Sequence, residues 1–262
     1  MKKWLFIFIF IILLIFAAFF YLKKSATQTP SSNKVLSAVE APTTTPVAWK
    51  QSTVINVDGI PIRISWAKVK PEEVELYSNL KEQKLSEEIK VDKSCQILVS
   101  GGFYSKENTH LGLFITNFET ISPPLQNSTL NGFLWISSDG TITISSDFPI
   151  ISPRLALQSG PLLTLNGQSL VLSMNNDESS RRIVAATTGD NELYFFAVYR
   201  DRSDYQGPLL KKLPEIINLF KKQTSIDIVD AINLDGGSAS VFITNYDLLR
   251  ELAHIGSYFC IR

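Results

Sequence analysis

The chain reads as an α+β protein, a single strand-rich domain with a few helices behind an N-terminal transmembrane helix, and three observations carry that reading. Short segments enriched in β-branched and aromatic residues recur from residue 54 to residue 244, each bounded by Gly, Pro, Asn, Asp or Ser. Few segments show helical spacing, so strands and helices do not alternate as they would in a parallel α/β fold. Residues Trp4 to Leu22 form an unbroken apolar run flanked by Lys2-Lys3 and Lys23-Lys24. At about 1.5 Å rise per residue such a run crosses a hydrocarbon core of roughly 30 Å.

Taken in order, residues 1–24 are expected to be a signal anchor. A cleavable signal peptide has a shorter apolar region, about 7–15 residues, and ends in a small-x-small site. The stretch Phe19-Phe20-Tyr21-Leu22-Lys23-Lys24 offers none. The short N-terminal flank favours a single pass through the cell membrane with the following domain outside the cytoplasm. Residues 25–46 are rich in Ser, Thr and Pro, too poor in apolar surface to offset ordering entropy, and read as a flexible tether. Residues 47–262 form the folded domain.

Within it the expected strands are Val54–Val57, Ile60–Trp66, Gln96–Ser100, Leu111–Thr116, Gly132–Ser137, Thr141–Ser145, Ser169–Ser173, Arg182–Ala186, Leu193–Tyr199, Ile228–Leu234 and Ser240–Thr244. Ser138-Asp139-Gly140 and Thr188-Gly189-Asp190-Asn191 are hairpin turn signals. A polar surface helix is expected from Pro71 to about Glu88, interrupted near Asn79. A second spans Leu209 to Lys222, with Leu213, Ile216, Ile217 and Phe220 at helical spacing. Pro214 suits its first turn, so regular helix should begin near Leu213. Tyr246–Arg250 reads as a short third helix.

The 262 residues carry formal net charge +0 and no basic cluster in the body, which argues against nucleic acid as a partner. Cys95 and Cys260 match no zinc or redox spacing. Outside the cytoplasm they suit a disulfide, and as buried thiols they suit a core, so both readings stand. His110 and His254 lack metal-ligand spacing, and there is no nucleophile elbow, phosphate loop or dinucleotide fingerprint. No cofactor is expected, with a divalent metal left open.

The most informative segment is Ala231-Ile232-Asn233-Leu234-Asp235-Gly236-Gly237-Ser238. An apolar, β-branched run ends abruptly in a carboxylate and two glycines. This reads as a buried strand delivering Asp235 to a sheet rim beside backbone donors that no Cβ shields. The plainer alternative is a hairpin with an Asp-Gly turn. Ser100-Gly101-Gly102-Phe103-Tyr104, after Ile97-Leu98-Val99, repeats the strand-then-glycine logic.

Two further segments, Gln158-Ser159-Gly160-Pro161-Leu162-Leu163 and Arg181-Arg182-Ile183-Val184-Ala185, complete an ordered set. In order and spacing this set, over roughly Ser52 to Phe242, resembles the phosphodiester glycosidase family. Its pattern runs Asn-(Gly/Ala)-Gly-Phe-Phe, Gly-Pro-Leu, Arg-Thr-Ala-Ile-Gly and Asn-Leu-Asp-Gly-Gly-Gly-Ser. The resemblance implies a hydrolase that cleaves the glycosidic bond of a sugar-1-phosphodiester, here in cell-envelope glycans. An idle glycan-binding module is the alternative.

On that resemblance Asp235 is the catalytic carboxylate, as base, nucleophile or acceptor of sugar hydroxyls. Arg182 is the phosphate-holding guanidinium. Arg181 and Arg182 face opposite sides of a strand, so only one enters a pocket; the ungapped count from Leu193–Phe196 favours Arg182, and the preceding serine favours Arg181. Arg181, Ser100, Gly101, Gly102, Phe103, Gly160, Asn233, Gly236, Gly237 and Ser238 are the expected substrate-binding residues. Glu107, a candidate second carboxylate, lies in a polar loop and is expected to be solvated. The chain departs from the family at Ser100, where the pattern has Asn, and at Ser238-Ala239, where it has Gly-Ser.

Overall fold

The structure is a computed structural model that describes residues 51–148 and 153–262. The apolar run Trp4–Leu22 and the tether lie outside the described residues. Among those described, no helix is long and apolar enough to cross a membrane.

The strands, in chain order, are β1 (Ser52–Val57), β2 (Ile60–Val69), β3 (Val74–Ser78), β4 (Ile97–Ser100), β5 (Phe114–Thr116), β6 (Glu119–Ser122), β7 (Gly132–Ile136), β8 (Ile142–Ser145) and β9 (Leu155–Ser159). They continue as β10 (Leu162–Leu165), β11 (Gln168–Ser169), β12 (Arg182–Thr188), β13 (Leu193–Arg200), β14 (Ile228–Asn233), β15 (Phe242–Ile243), β16 (Leu248–Leu249) and β17 (Ser257–Ile261). Among the described residues two α-helices accompany them, α1 (Ser86–Lys93) and α2 (Leu213–Thr224). The domain is therefore strand-rich with few helices.

Three antiparallel sheets form. The seven-stranded sheet runs β1-β2-β13-β12-β14-β10-β11, and the five-stranded sheets run β16-β15-β4-β17-β3 and β6-β5-β9-β7-β8. Alternation along β12 shows how the central sheet buries both faces. Ile183 and Ala185 join a cluster with Leu134, Leu157, Val99 and Phe259 from the smaller sheets. Val184 and Ala186 point the other way, into a cluster with Leu213, Ile216 and Phe220 of α2. Burying each of those α2 side chains is worth roughly 1.5–3 kcal/mol, which holds the helix on the sheet. Pro214 sits in its first turn, where its missing N–H leaves no intrahelical bond unmade.

Several elements differ from the sequence reading. Pro71–Glu88 is a 3-10 turn at Pro71–Glu73, then β3, then only the start of α1. Val74 and Leu76 are buried against Phe259 and Ile261 of β17, so tertiary pairing overrides the charged local composition. Tyr246–Arg250 is not helical: Leu248–Leu249 pairs with β15. Strands β6, β9 and β10 emerge where none was expected. Both hairpin turns close as the turn signals predict, joining β7 to β8 and β12 to β13. Cys95 and Cys260 are bonded, tying the second residue after α1 to β17 across 165 positions.

Candidate active site

Strand β14 lies between β12 and β10 in the central sheet, and the chain leaves that sheet at Asp235. It next pairs in a different sheet, where β15 lies beside β4. Ala231–Ser238 is thus a crossover between sheets and not a hairpin. Backbone bonds pin the crossover from both sides. Leu234 N donates to Ile183 O at 2.8 Å and Gly237 N to Arg181 O at 2.8 Å, both from the central-sheet side. Asp235 N donates to Gly101 O at 2.9 Å, from the end of β4. The Asp235 side chain consequently sits where two sheets meet.

That junction walls a cavity of about 390 Å³. Asp235, Gly236, Gly237, Arg182, Gly160, Asn233 and Phe103 line it, so seven of the expected site residues meet there. Asp235 is only 9% exposed. Burial pushes its carboxyl up to about 8, and the Gly236 N–H, by hydrogen bonding to it, offsets part of that rise. A carboxyl in that range exchanges protons near neutrality, as a general acid or base requires. Gly237 has φ +63°, and no atom lies within 3.5 Å of a Cβ added there, so backbone conformation is its requirement. At Gly236 the constraint is space, because an added Cβ would meet Arg181 O at 2.8 Å.

Arg182, the first residue of β12, is the arginine that faces the cavity. Its guanidinium pairs with Asp177 at 3.3 Å, bonds Glu178 O, and its Nε reaches Pro208 O at 3.3 Å. Asp177 in turn takes the Leu210 and Lys211 N–H groups at 2.7 and 2.9 Å. The guanidinium is thereby held in one place with a single carboxylate partner, and a phosphate oxygen can share it.

Arg181 does not line the cavity. It is fully buried, and its donors go to Ser240 Oγ at 2.8 Å, Asp204 O at 2.7 Å, Ser240 O at 2.5 Å and Arg250 O at 2.6 Å. It braces the turn after Asp235, with four of its five N–H donors spent on the protein.

Four other expected contacts are also corrected. Gly101 N and Gly102 N are spent on Ser257, on its carbonyl at 2.8 Å and its hydroxyl at 2.8 Å. These glycines are there for close packing: an added Cβ would lie 2.5 Å from Ser257 Oγ at Gly101 and 2.6 Å from Leu157 Cδ1 at Gly102. Ser100 is buried, and its hydroxyl donates to Asp235 O at 3.0 Å. Ser238 is exposed and away from the cavity; its carbonyl accepts from Leu252 N at 2.7 Å and Ala253 N at 2.9 Å. Glu107 is exposed and held low by the Ser105 hydroxyl, outside this cavity.

Asn233 clamps the Gly160-Pro161 turn to β14. Its Nδ2 donates to Gly160 O at 2.9 Å, and its backbone carbonyl accepts from Gly160 N at 3.1 Å and Ser159 Oγ at 2.7 Å. The sequence reading missed Asn127, Thr129 and Ser180 as walls. Tyr104, the last residue of the Ser100–Tyr104 segment, is a wall as well. The other three lie in polar loops with no local signal. Among the described residues no group of three or more His, Cys, Asp or Glu is placed to hold a metal ion.

Known proteins show the same arrangement of chain. A family model for phosphodiester glycosidase (NAGPA) matches residues 93–257. The catalytic domain of zebrafish N-acetylglucosamine-1-phosphodiester alpha-N-acetylglucosaminidase, solved auto-inhibited by its pro-peptide, superposes with a TM-score of 0.59 at 18% identity. The match covers 80% of this chain and 81% of that one. A hypothetical protein from Synechocystis superposes with a TM-score of 0.54 at 13% identity, covering 80% of this chain and 61% of the other. These likenesses are of fold. No curated protein sequence matches the chain.

Proposed function

We propose, on the premise that this chain belongs to the phosphodiester glycosidase family, that it hydrolyses the glycosidic bond of a sugar-1-phosphodiester. The observation that carries the reading is the convergence of Asp235 and Arg182 on one cavity. A phosphodiester keeps one negative charge in the ground state and gains another as its sugar departs. Arg182, already fixed by Asp177, supplies a guanidinium for that developing charge.

Water attacks the anomeric carbon, and the bond from that carbon to the phosphate oxygen breaks. The phosphate leaves as a monoester on its remaining alcohol, and the water's proton passes to Asp235. Burial makes the ionised Asp235 a stronger base than a solvated carboxylate. Because phosphate carries the leaving charge, a second carboxylate to protonate the leaving group is not required. The reading assigns no step to a metal or cofactor.

The placement follows the same reading. The disulfide between Cys95 and Cys260 suits an oxidising compartment. With the apolar run Trp4–Leu22, it supports a single-pass protein whose domain faces outward, acting on envelope glycans. The test is incubation of the purified full chain with a panel of sugar-1-phosphodiesters, scored for free sugar, with Asp235→Asn as control. Release by the wild type alone is expected. Binding without release by any panel member overturns the hydrolase in favour of a glycan-binding module.

A further inference from the structure

A second cavity, of about 430 Å³, adjoins the first across Tyr104, which lines both. Its walls include Leu80, Leu85, Leu252, Ala253 and Ile255. Leu85 is 53% exposed and Leu252 64% exposed, so apolar surface lies open at the mouth of the cavity. Gln83, Asn108 and His254 line the same wall, and two further polar residues are engaged with the protein. Asn79 gives its amide to Lys84 O and Ile255 O, each at 3.0 Å, and its Oδ1 accepts from Lys84 N at 3.0 Å. Glu251 takes the Ser86 N–H at 2.7 Å through one oxygen, and its other oxygen is buried without a partner. What the cavity offers a ligand is mainly apolar surface.

The rim is fixed to the catalytic turn. Leu252 N and Ala253 N both donate to Ser238 O, three residues past Asp235. The Tyr104 hydroxyl donates to His254 O at 2.6 Å. The apolar concavity is therefore held in register with the cavity that contains Asp235 and Arg182.

We propose that this second cavity binds the alcohol portion of the phosphodiester, and that this alcohol has an apolar body, as an alkyl or isoprenoid chain does. The inference rests on the phosphodiester reading for the first cavity. A phosphate beside Arg182 carries the sugar on one ester oxygen and the alcohol on the other. With the sugar against Asp235, the alcohol leaves toward Tyr104 and the two leucines. A hydroxylated alcohol would lay many of its donors and acceptors against wall surface that is mainly apolar, leaving some of its polar groups poorly paired. An apolar chain covers Leu85 and Leu252 and removes its own surface from water.

The experiment measures the binding of three probes to the Asp235→Asn protein by calorimetry: the methyl, hexyl and 6-glucosyl esters of N-acetylglucosamine 1-phosphate. The hexyl ester is expected to bind at least about tenfold tighter than the methyl ester, since each buried methylene is worth about fourfold. The glucosyl ester should show no such gain. In the Leu85→Ser/Leu252→Ser double variant, with folding confirmed by melting, the hexyl advantage should fall to about threefold or less.

Equal affinities of hexyl and methyl esters, absence of binding by all three, a tighter glucosyl ester, or a hexyl advantage that survives the double variant overturns the proposal. Hydrolysis is scored separately with wild-type protein and the methyl ester. A wild type that binds hexyl selectively but releases no sugar removes the hydrolase and leaves the apolar subsite. Release of sugar without hexyl selectivity does the reverse.

Discussion

The Ser100 hydroxyl donates to the Asp235 carbonyl at 3.0 Å while accepting from Val241 N at 3.3 Å. One buried side chain thus links the end of β4 to the start and the finish of the catalytic turn. Where the family pattern has Asn, this chain uses the shorter residue as an internal strut. Ser100→Ala should lower stability by about 1–3 kcal/mol, because the Val241 N–H loses a partner in a buried place. It should also lower kcat about tenfold, since a small displacement of a reacting group is costly. Melting and steady-state kinetics test it; reduced melting temperature with unchanged kcat would make the strut purely structural.

Asp235→Asn should cost on the order of 10²–10⁴ in kcat if Asp235 is the base. The same change should stabilise the fold at neutral pH, by about 1–3 kcal/mol. Burial raises the carboxyl to about 8 in the folded protein, so the folded state holds a proton that the unfolded state has released. That proton's contribution is complete in acid, and it is lost as pH rises from the ordinary carboxylate range through about 8. The melting advantage of the Asn variant over wild type should therefore widen from pH 4 to pH 8. A variant no more stable than wild type at pH 8 would contradict the buried-carboxyl account.

Turnover should follow the opposite limb. For Asp235 as base, kcat/KM should rise about tenfold per pH unit below its ionisation and level off near pH 8, as a single free-enzyme group requires. A profile flat between pH 5 and pH 8 would remove Asp235 as the base.

The two adjacent arginines should separate cleanly. Arg182→Ala should raise KM and lower kcat together, because phosphate is charged in both ground and transition states. Arg181→Ala should leave the buried Ser240 hydroxyl and carbonyl and two part-buried carbonyls without this partner, with a cavity in place of the side chain, and lower stability by about 3 kcal/mol or more. Thermal melting of both variants, with inorganic phosphate titrated into each that folds, distinguishes them. A stable Arg181→Ala protein with lost phosphate binding would exchange the two assignments.

Much of the site could be read because its signal is local. An apolar β-branched run that stops at Asp235-Gly236-Gly237 has few interpretations, and residue parity along β12 explains why only one of Arg181 and Arg182 can face the cavity. What stayed hidden depends on distant partners. β3 carries Val74 and Leu76 inside a charged stretch, and only pairing with β17 makes it a strand. The fully buried β9 and the largely buried β10 flank Gly160-Pro161 without the alternation that marks a half-exposed strand. Gly101 and Gly102 have the same local appearance as Gly236 and Gly237, yet Ser257, over 150 positions away, takes both of their donors.

The placement of β17 has a consequence for synthesis. In its sheet this strand lies between β3 and β4, both of which are made well over a hundred residues earlier. While the intervening chain emerges, β3 and β4 each present an open edge to whatever strand arrives first, including one from a neighbouring nascent chain. Such long-range closure is slow because loop entropy is lost before the pairing rewards it. The protein's yield in cells should therefore depend on how well those two edges are shielded during translation, and overexpression should fill inclusion bodies before it strains any other step.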